Sequence, residues 1–230
     1  MQSFGEHYRA LVIGASGSIG QAFVQALRSD PHCAEVVELS RSSQPALDLT
    51  EPDSIERAAQ QLKAQAPFQL IIHAAGILHR DALQPEKSLS KLNNQTMQTV
   101  FQINALGPAL VLQQFVPLLS RDGAMAFLSA KVGSIGDNRL GGWYSYRASK
   151  AALNMLIKTA AIEVARTRPQ VRLLSLHPGT VISPLSAPFQ GGAHARPASV
   201  AAQEMLRVID QSTAADSGSF FAYNGERLPW

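Results

Sequence analysis

The chain has 230 residues, of which 46% are hydrophobic and 16% are charged. This length suits one hydrophobic core better than two, so we predict a single domain over residues 1–230. The net charge of +3 comes from scattered basic residues, which argues against nucleic-acid binding. The single cysteine, Cys33, excludes an internal disulfide, and no apolar stretch approaches the length of a membrane span. We expect a cytoplasmic protein with no signal peptide, membrane partner or bound metal.

Strands and helices alternate along the chain. The first forty residues predict a strand at 10–14, a helix from the helical spacing of Ile19, Phe23 and Leu27, and a strand at 35–39. Further strands are predicted at 70–74, 123–129, 171–177 and 218–223, with helices at 94–119, 145–166 and 198–210. This alternation predicts a single-domain α/β fold, a doubly wound parallel sheet with helices on both faces.

Two connecting segments carry more specific signals. Thr50-x-x-Asp53, with Pro52 in the first turn, predicts the start of a helix that turns Ile55 into the core. The segment 178–197 is irregular and rich in Pro, Gly and Ser. We expect it to form a mobile lid over a substrate.

A glycine-rich turn separates the first predicted strand from the first helix. Glycines at this place let the backbone approach a pyrophosphate at the helix N-terminus. A glycine turn without a ligand is the alternative, because the spacing differs from G-x-G-x-x-G, but the position after the first strand favours a nucleotide. We therefore assign six residues to cofactor binding: Gly14, Ser16, Gly17, Ser18, Ile19 and Gly20.

The residues after the second strand discriminate between cofactors. Ser40, Arg41 and Ser42 offer no carboxylate to the ribose hydroxyls of NAD. A guanidinium suits the 2′-phosphate of NADP far better. We therefore predict that these three residues bind the adenosine end of NADP(H), with a solvated surface arginine as the alternative interpretation of Arg41.

Tyr146 and Lys150 form the most specific pair in the sequence. They lie four residues apart in a predicted helix and therefore share one face. A phenol with a pKa of roughly 10 is a poor acid–base catalyst at neutral pH, but a neighbouring ammonium stabilises its anion. We expect Lys150 to lower the pKa of Tyr146, which could then hand a proton to a carbonyl oxygen. A chance surface pair is the alternative.

Asn104 is a polar residue among apolar neighbours in the long predicted helix. Pro108 lacks the N–H that would bond the carbonyl of Asn104, so the helix should open or kink here. An open carbonyl could hold a water molecule that connects Lys150 to solvent. A simple proline kink is the alternative.

These motifs resemble the short-chain dehydrogenase/reductase superfamily, and in particular its carbonyl-reductase branch with the sniffer and C-factor proteins. The similarity covers nearly the whole chain, and the segments 132–138 and 141–144 resemble that branch. It implies a Rossmann fold in which Tyr146 is the acid–base residue, Lys150 binds ribose and Asn104 belongs to the relay. It also implies a cofactor site that includes Asn104, Tyr146 and Lys150 together with Asp48, Leu49, Ala74, Ala75, Gly76, Pro178, Gly179, Val181 and Ser183.

Three departures from the family pattern are visible, the mildest being Ser183 in place of a threonine, which keeps a hydroxyl for the nicotinamide carboxamide. The family's Asn-Asn-Ala-Gly is His73-Ala74-Ala75-Gly76 here, and we expect His73 to be a packed or capping residue rather than a catalyst. The serine that binds the substrate oxygen aligns with Ala130, and Ser129 should point to the opposite face of its strand. We predict that Ser134 replaces the missing hydroxyl as a catalytic residue, with an idle loop serine as the alternative.

The sequence thus predicts an NADP(H)-dependent oxidoreductase that reduces an aldehyde, ketone or quinone. A nucleotide-binding signalling or regulatory protein of the C-factor type, with little turnover, is the alternative, and Ala130 favours it. An extended-type epimerase or dehydratase would need a larger C-terminal domain than this length allows. The partners we expect are a small carbonyl substrate and further copies of the chain, as a homodimer or homotetramer.

Overall fold

In the described part of the chain, one sheet of six parallel strands forms the centre of the molecule. The computed structural model describes residues 1–80, 83–189 and 195–230. The strand order is β2-β1-β3-β4-β5-β6, and the predicted doubly wound α/β fold is confirmed. The strands are Tyr8–Ile13 (β1), Cys33–Leu39 (β2), Phe68–His73 (β3), Leu119–Leu128 (β4), Arg172–His177 (β5) and Ser219–Ala222 (β6).

In the described residues, six α-helices cover the two faces of this sheet. Phe23 and Met205 bury the first and last helices against one face, while Phe115 and Ile157 belong to the core on the other face. Each such side chain contributes roughly 1.5–3 kcal/mol when it is fully buried. The helices are Ser18–Arg28 (α1), Pro52–Leu62 (α2), Asn94–Phe101 (α3), Gly107–Phe115 (α4), Tyr144–Ala165 (α5) and Ala198–Gln211 (α6).

The order of the strands places a crevice at the ends of β1 and β3. From β1 the chain crosses to β2 on one side, and later returns to β3 on the other side. Connections that diverge in this way leave an opening at the carboxyl ends of the strands, where open α/β sheets bind ligands. The backbone N–H of Ala74 donates to the carbonyl of Ile13, which holds the two strand ends together at this opening.

The long helix predicted at 94–119 is interrupted. Between α3 and α4 lies a π-helical segment, Gln102–Leu106, so the predicted opening of the helix at Asn104 is confirmed. The predicted end at 119 is wrong, because a 3-10 turn, Val116–Leu118, follows α4 and Leu119 already belongs to β4. Pro117 lies in that turn and cannot donate a helical backbone hydrogen bond.

The predicted cap of α2 is also wrong. Glu51 is the N-cap residue and no side chain caps the helix, because a residue before proline is pushed into extended backbone and the helix begins only at Pro52. Thr50 instead donates its N–H and its hydroxyl to Asp48 Oδ1, at 2.9 and 2.8 Å. The Thr50 side chain thereby orients a carboxylate of the crevice.

The predicted lid at 178–197 is only partly described. Residues 190–194 lie outside the described part of the chain, and a short 3-10 helix, Ala187–Phe189, precedes them. In the described ranges, no helix combines the length and the apolar character needed to cross a membrane.

Gly17 and Gly20, at the start of α1, give a matched test of how closely α1 packs against the end of β1. A Cβ at Gly20 would lie 2.1 Å from the carbonyl oxygen of Gly14, whereas one at Gly17 would lie 3.5 Å from it. We expect Gly20→Ala to lower the free energy of unfolding by about 1–3 kcal/mol, because α1 must move away from β1. Gly17→Ala should change it by less than about 1 kcal/mol. Urea denaturation measures both, and equal effects would contradict the packing role of Gly20.

Candidate active site

A cavity of about 710 Å³ opens at the carboxyl ends of β1, β2 and β3. This volume lies in the range of small-molecule and cofactor sites. Most residues that the sequence assigned to cofactor binding line this cavity: Gly14, Ser16, Gly17, Ser18, Ile19, Ser40, Arg41, Asp48, Leu49, Ala74, Ala75, Gly76 and Ser183.

The glycine turn has the geometry that a pyrophosphate requires. Gly14 has a φ of +83°, and a Cβ there would lie 2.7 Å from the backbone nitrogen of Ala75. Gly17 is the N-cap residue of α1, and no side chain caps that helix. An N-terminus that no side chain caps keeps its first backbone N–H groups for an anion. Gly20 does not line the cavity and instead packs against Gly14.

One part of the cavity wall carries three charged side chains: Arg41, Asp48 and Arg80. Burial acts to raise the pKa of Asp48, but hydrogen bonds from Thr50 and the charges of Arg41 and Arg80 hold it below its usual value. Ser42 does not line the cavity, since its N–H donates to Ser40 Oγ at 3.2 Å within the turn. The net charge of this part of the wall suits an anionic group. No group of three acidic, His or Cys side chains in the described ranges could hold a metal.

Several residues of the cavity wall carried no signal in the sequence. His79 belongs to the loop after β3, and its Nε2 lies 3.1 Å from the carbonyl oxygens of Pro184 and Leu185. This contact brings the predicted lid to the cavity. In the same loop, the charge of Arg80 is the one feature of the sequence that could have indicated a cavity residue. The residues missed were Ile13, Leu47, Thr50, Ile77, His79, Arg80, Ile103, Pro184 and Leu185.

The side chain of Asn104 connects the loop after β3 to α5. Its Oδ1 accepts from the N–H of Ile77 at 2.8 Å, and its Nδ2 donates to the Ile77 carbonyl at 2.8 Å and to Ser149 Oγ at 3.2 Å. Ser149 in turn donates to the carbonyl of Tyr146 at 2.8 Å. Asn104 therefore fixes the position of α5 through its side chain, in addition to any role of its carbonyl.

Lys150 is buried beside this network. Its Nζ donates to the Leu128 carbonyl at the end of β4, at 2.9 Å, and lies 5.9 Å from the centre of the Tyr146 ring. A Cβ at Gly76 would lie 3.3 Å from this Nζ and 3.2 Å from Asn104 Oδ1. Gly76 lines the cavity, and Lys150 and Asn104 lie directly behind it. Tyr146, Lys150 and Asn104 are therefore brought together behind the cavity wall. None of these three lines the cavity itself.

The pKa values of this pair differ from the expectation. Burial raises the pKa of Tyr146 to about 12 and lowers that of Lys150 to about 8. The predicted lowering of the Tyr146 pKa by Lys150 is therefore not found in the protein alone, because burial desolvates the phenolate and disfavours it.

The hydroxyls near the end of β4 are engaged in structural bonds. Ser129 Oγ donates to Asn154 Oδ1 at 2.7 Å, while Ser134 is 1% exposed and its Oγ accepts from the N–H of Asp137 at 3.1 Å. Ala130 follows β4 and precedes a 3-10 turn. The structure gives Ser134 the role of a buried turn residue, and its catalytic role stays a prediction.

Of the four residues assigned after β5, only Ser183 lines the cavity. Gly179 has a φ of +73°, and a Cβ there would lie 3.0 Å from the Tyr223 ring. Arg196 stacks 3.5 Å from that ring and donates to the Pro178 carbonyl at 2.7 Å, while Val181 is buried. These contacts shape the base of the lid rather than the cavity wall.

The family model described as "Enoyl-(Acyl carrier protein) reductase" matches residues 14–228. A 1-hydroxy-2-glutathionyl-2-methyl-3-butene dehydrogenase of Rhodococcus sp. (strain AD45) is 30% identical over 198 residues, which cover 86% of this chain and 84% of that protein. The C-signal protein of Myxococcus xanthus is 38% identical over 148 residues, which cover 62% of this chain and 84% of that protein.

Two solved structures share the fold over nearly the whole chain. The carbonyl reductase Sniffer of D. melanogaster has a TM-score of 0.83 at 21% identity, over 98% of this chain and 100% of that one. An NADPH-bound carbonyl reductase from chicken fatty liver has a TM-score of 0.86 at 24% identity, over 100% and 97% of the two chains. The predicted resemblance to the superfamily is confirmed: the chain belongs to the short-chain dehydrogenase/reductase superfamily.

Proposed function

We propose that this oxidoreductase uses NADP(H) to reduce a carbonyl, with Tyr146 as the proton donor. The observation that carries the proposal is the placement of Lys150, whose buried Nζ lies against Gly76 of the cavity wall and below the ring of Tyr146. A buried ammonium is expensive unless a ligand or a reaction uses it. Cytoplasmic location and a homo-oligomeric state stay predictions.

The cavity fits NADP(H) at both of its ends. Gly14 and the start of α1 would hold the pyrophosphate, and Arg41 with Arg80 would hold the 2′-phosphate. The NADPH in the related chicken enzyme supports this choice. When bound, NADPH would supply the hydride that adds to the carbonyl carbon.

The side chains of the chain itself handle the proton. With a pKa of about 12, Tyr146 stays protonated at neutral pH and can donate from its hydroxyl to the oxygen of the reduced carbonyl. Lys150 carries a positive charge below its pKa of about 8 and would stabilise the resulting phenolate. Asn104 and Ser149 hold the backbone of Tyr146 in place.

The first test removes the proton donor. We expect Tyr146→Phe to lower kcat for NADPH-dependent reduction by at least about 10²-fold, since general acid catalysis typically supplies 10²–10⁴-fold. NADPH binding, measured by cofactor fluorescence, should stay within about twofold of the parent. Tyr144→Phe, two residues away on the same helix, is the matched control, and unchanged turnover in Tyr146→Phe would refute the assigned role.

The second test concerns cofactor choice. A charge-assisted hydrogen bond to phosphate contributes roughly 1.5–3 kcal/mol, so Arg41→Ala should weaken NADPH binding by about one to two decades and leave NADH binding nearly unchanged. Titration calorimetry with both cofactors measures this difference. Equal affinities of the parent for NADPH and NADH would contradict the prediction.

The third test uses stability and needs no substrate. The pKa of Lys150 is about 8 in the folded chain and about 10.4 when unfolded, so the unfolded state binds more protons between these values and stability rises with pH there. Lys150→Met should abolish this rise, because methionine binds no titrating proton. Urea denaturation of the parent and the variant from pH 7 to 10 measures this difference. A parent protein whose stability does not rise from pH 8 would contradict the burial of a charged lysine.

A regulatory nucleotide-binding protein is the second candidate function. Ala130 in place of the serine and the similarity to C-signal favour it, because removing one donor from an oxyanion-type site typically lowers the rate 10²–10³-fold. This candidate predicts NADPH binding without turnover of any carbonyl in a broad panel.

A further inference from the structure

Glu86 is a buried acidic residue that lies outside the cavity. It is 4% exposed, in the loop between β3 and α3. Its carboxylate accepts hydrogen bonds from the hydroxyl of Ser145 and, at 3.1 Å, from the Ser145 N–H. Its backbone carbonyl accepts from the N–H of Trp143. A carboxylate is rarely buried without such partners, so the side chain of Glu86 has a specific task at this place.

The backbone turn before α5, which Glu86 holds, is in the left-handed region at three consecutive residues. Gly141, Gly142 and Trp143 all have positive φ, at 62°, 65° and 51°, and Trp143 is the N-cap residue of α5. A non-glycine residue in the left-handed region is strained unless its surroundings hold it there. The Arg147 guanidinium donates to the carbonyls of Gly141 and Gly142 from the other side.

This turn determines where Tyr146 lies. Ser145 directly precedes Tyr146, and the ring of Trp143 meets the Tyr146 ring edge-on at 6.3 Å. The Trp143 ring also contacts Phe189 of the predicted lid at 5.1 Å. Carboxylates favour the N-terminus of a helix because they accept from its unpaired N–H groups. Glu86 supplies this cap from 59 residues away, since the N-cap residue Trp143 makes no side-chain cap hydrogen bond.

We propose that Glu86 is a positioning residue, which clamps the start of α5 and so keeps the hydroxyl of Tyr146 in its reactive place. The part that concerns turnover rests on the proposed reductase function. Within the described residues, Glu86 does not line the cavity, and its hydrogen bonds go to Ser145 and Trp143, through which it acts on Tyr146.

Hydrogen exchange tests the clamp without any substrate. In Glu86→Ala the N–H of Ser145 loses its acceptor, so its exchange measured by NMR should accelerate at least tenfold relative to the parent. Amides in the middle of α5, such as that of Ile157, should keep their protection. Lys87→Ala, which removes a neighbouring exposed charge, is the control and should leave the Ser145 exchange unchanged. An unchanged Ser145 exchange in Glu86→Ala would overturn the proposal.

Kinetics test the positioning of Tyr146. A displaced catalytic group typically lowers rates by one to two decades, so Glu86→Ala should lower kcat roughly tenfold or more while KM for NADPH stays within about twofold. Glu86→Gln should recover most of kcat, because its amide oxygen still accepts from the Ser145 N–H. In the Tyr146→Phe background, Glu86→Ala should cause no further loss. Equal losses in both backgrounds would show a general structural effect and overturn the proposal.

The two hypotheses fail in distinguishable ways. A parent protein that binds NADPH but reduces no carbonyl would refute the proposed function, and the Ser145 exchange would still decide the clamp. If Glu86→Ala does not fold, Glu86→Gln and Ser145→Ala carry the test, since Ser145→Ala removes only the hydroxyl partner. Both are then expected to keep the parent's KM for NADPH, and Ser145→Ala should lower kcat. Full kcat in Ser145→Ala would leave the clamp without a kinetic role and overturn the proposal.

Discussion

The rest of the site depends on the paired hydrogen bonds between the Asn104 side chain and the backbone of Ile77. These bonds tie the loop after β3 to the π-helical segment, and the contact with Ser149 extends the connection to α5. A buried amide that lost these partners would leave polar groups unpaired, at a cost of about 1–3 kcal/mol each. The cavity wall at Gly76 and the helix that carries Tyr146 therefore keep a fixed relation to each other.

The sequence predicts those parts of the fold that local patterns encode. Apolar runs and helical spacing place the six strands of the described residues and most helices. The glycine turn, Ser40 and Arg41 predict one part of the cavity wall, and the family resemblance supplies another part: Asp48, Leu49, Ala74, Ala75, Gly76 and Ser183. The errors occur where distant contacts compete with local signals. Thr50 bonds Asp48 instead of capping α2, and Leu119 joins the sheet opposite Phe68. Glu86 carried no signal at all, because its partner Ser145 lies 59 residues away.

His73 shows how the site accommodates a departure from the family pattern. It is fully buried and stacks on Phe127 at 5.2 Å, and its two ring nitrogens have no hydrogen-bond partner among the described residues. Burial and the nearby Lys150 lower its pKa to about 3, so the ring is neutral at physiological pH. The predicted packing role is the one it has. The His73 ring therefore does not tether the loop after β3. Of the two side chains, the one that holds this loop is Asn104.

Burial shifts the two central titratable groups in a way that favours one direction of the proposed reaction. The raised pKa of Tyr146 keeps the phenol protonated, so it can give its proton to a strongly basic alkoxide but is a poor base toward an alcohol. The lowered pKa of Lys150 means that the charge that stabilises the phenolate is lost above about pH 8. Carbonyl reduction at neutral pH needs a protonated phenol and a charged lysine, and both are present there. Alcohol oxidation needs the phenolate form of Tyr146, which burial disfavours. Above about pH 8, Lys150 is neutral and no longer stabilises this anion.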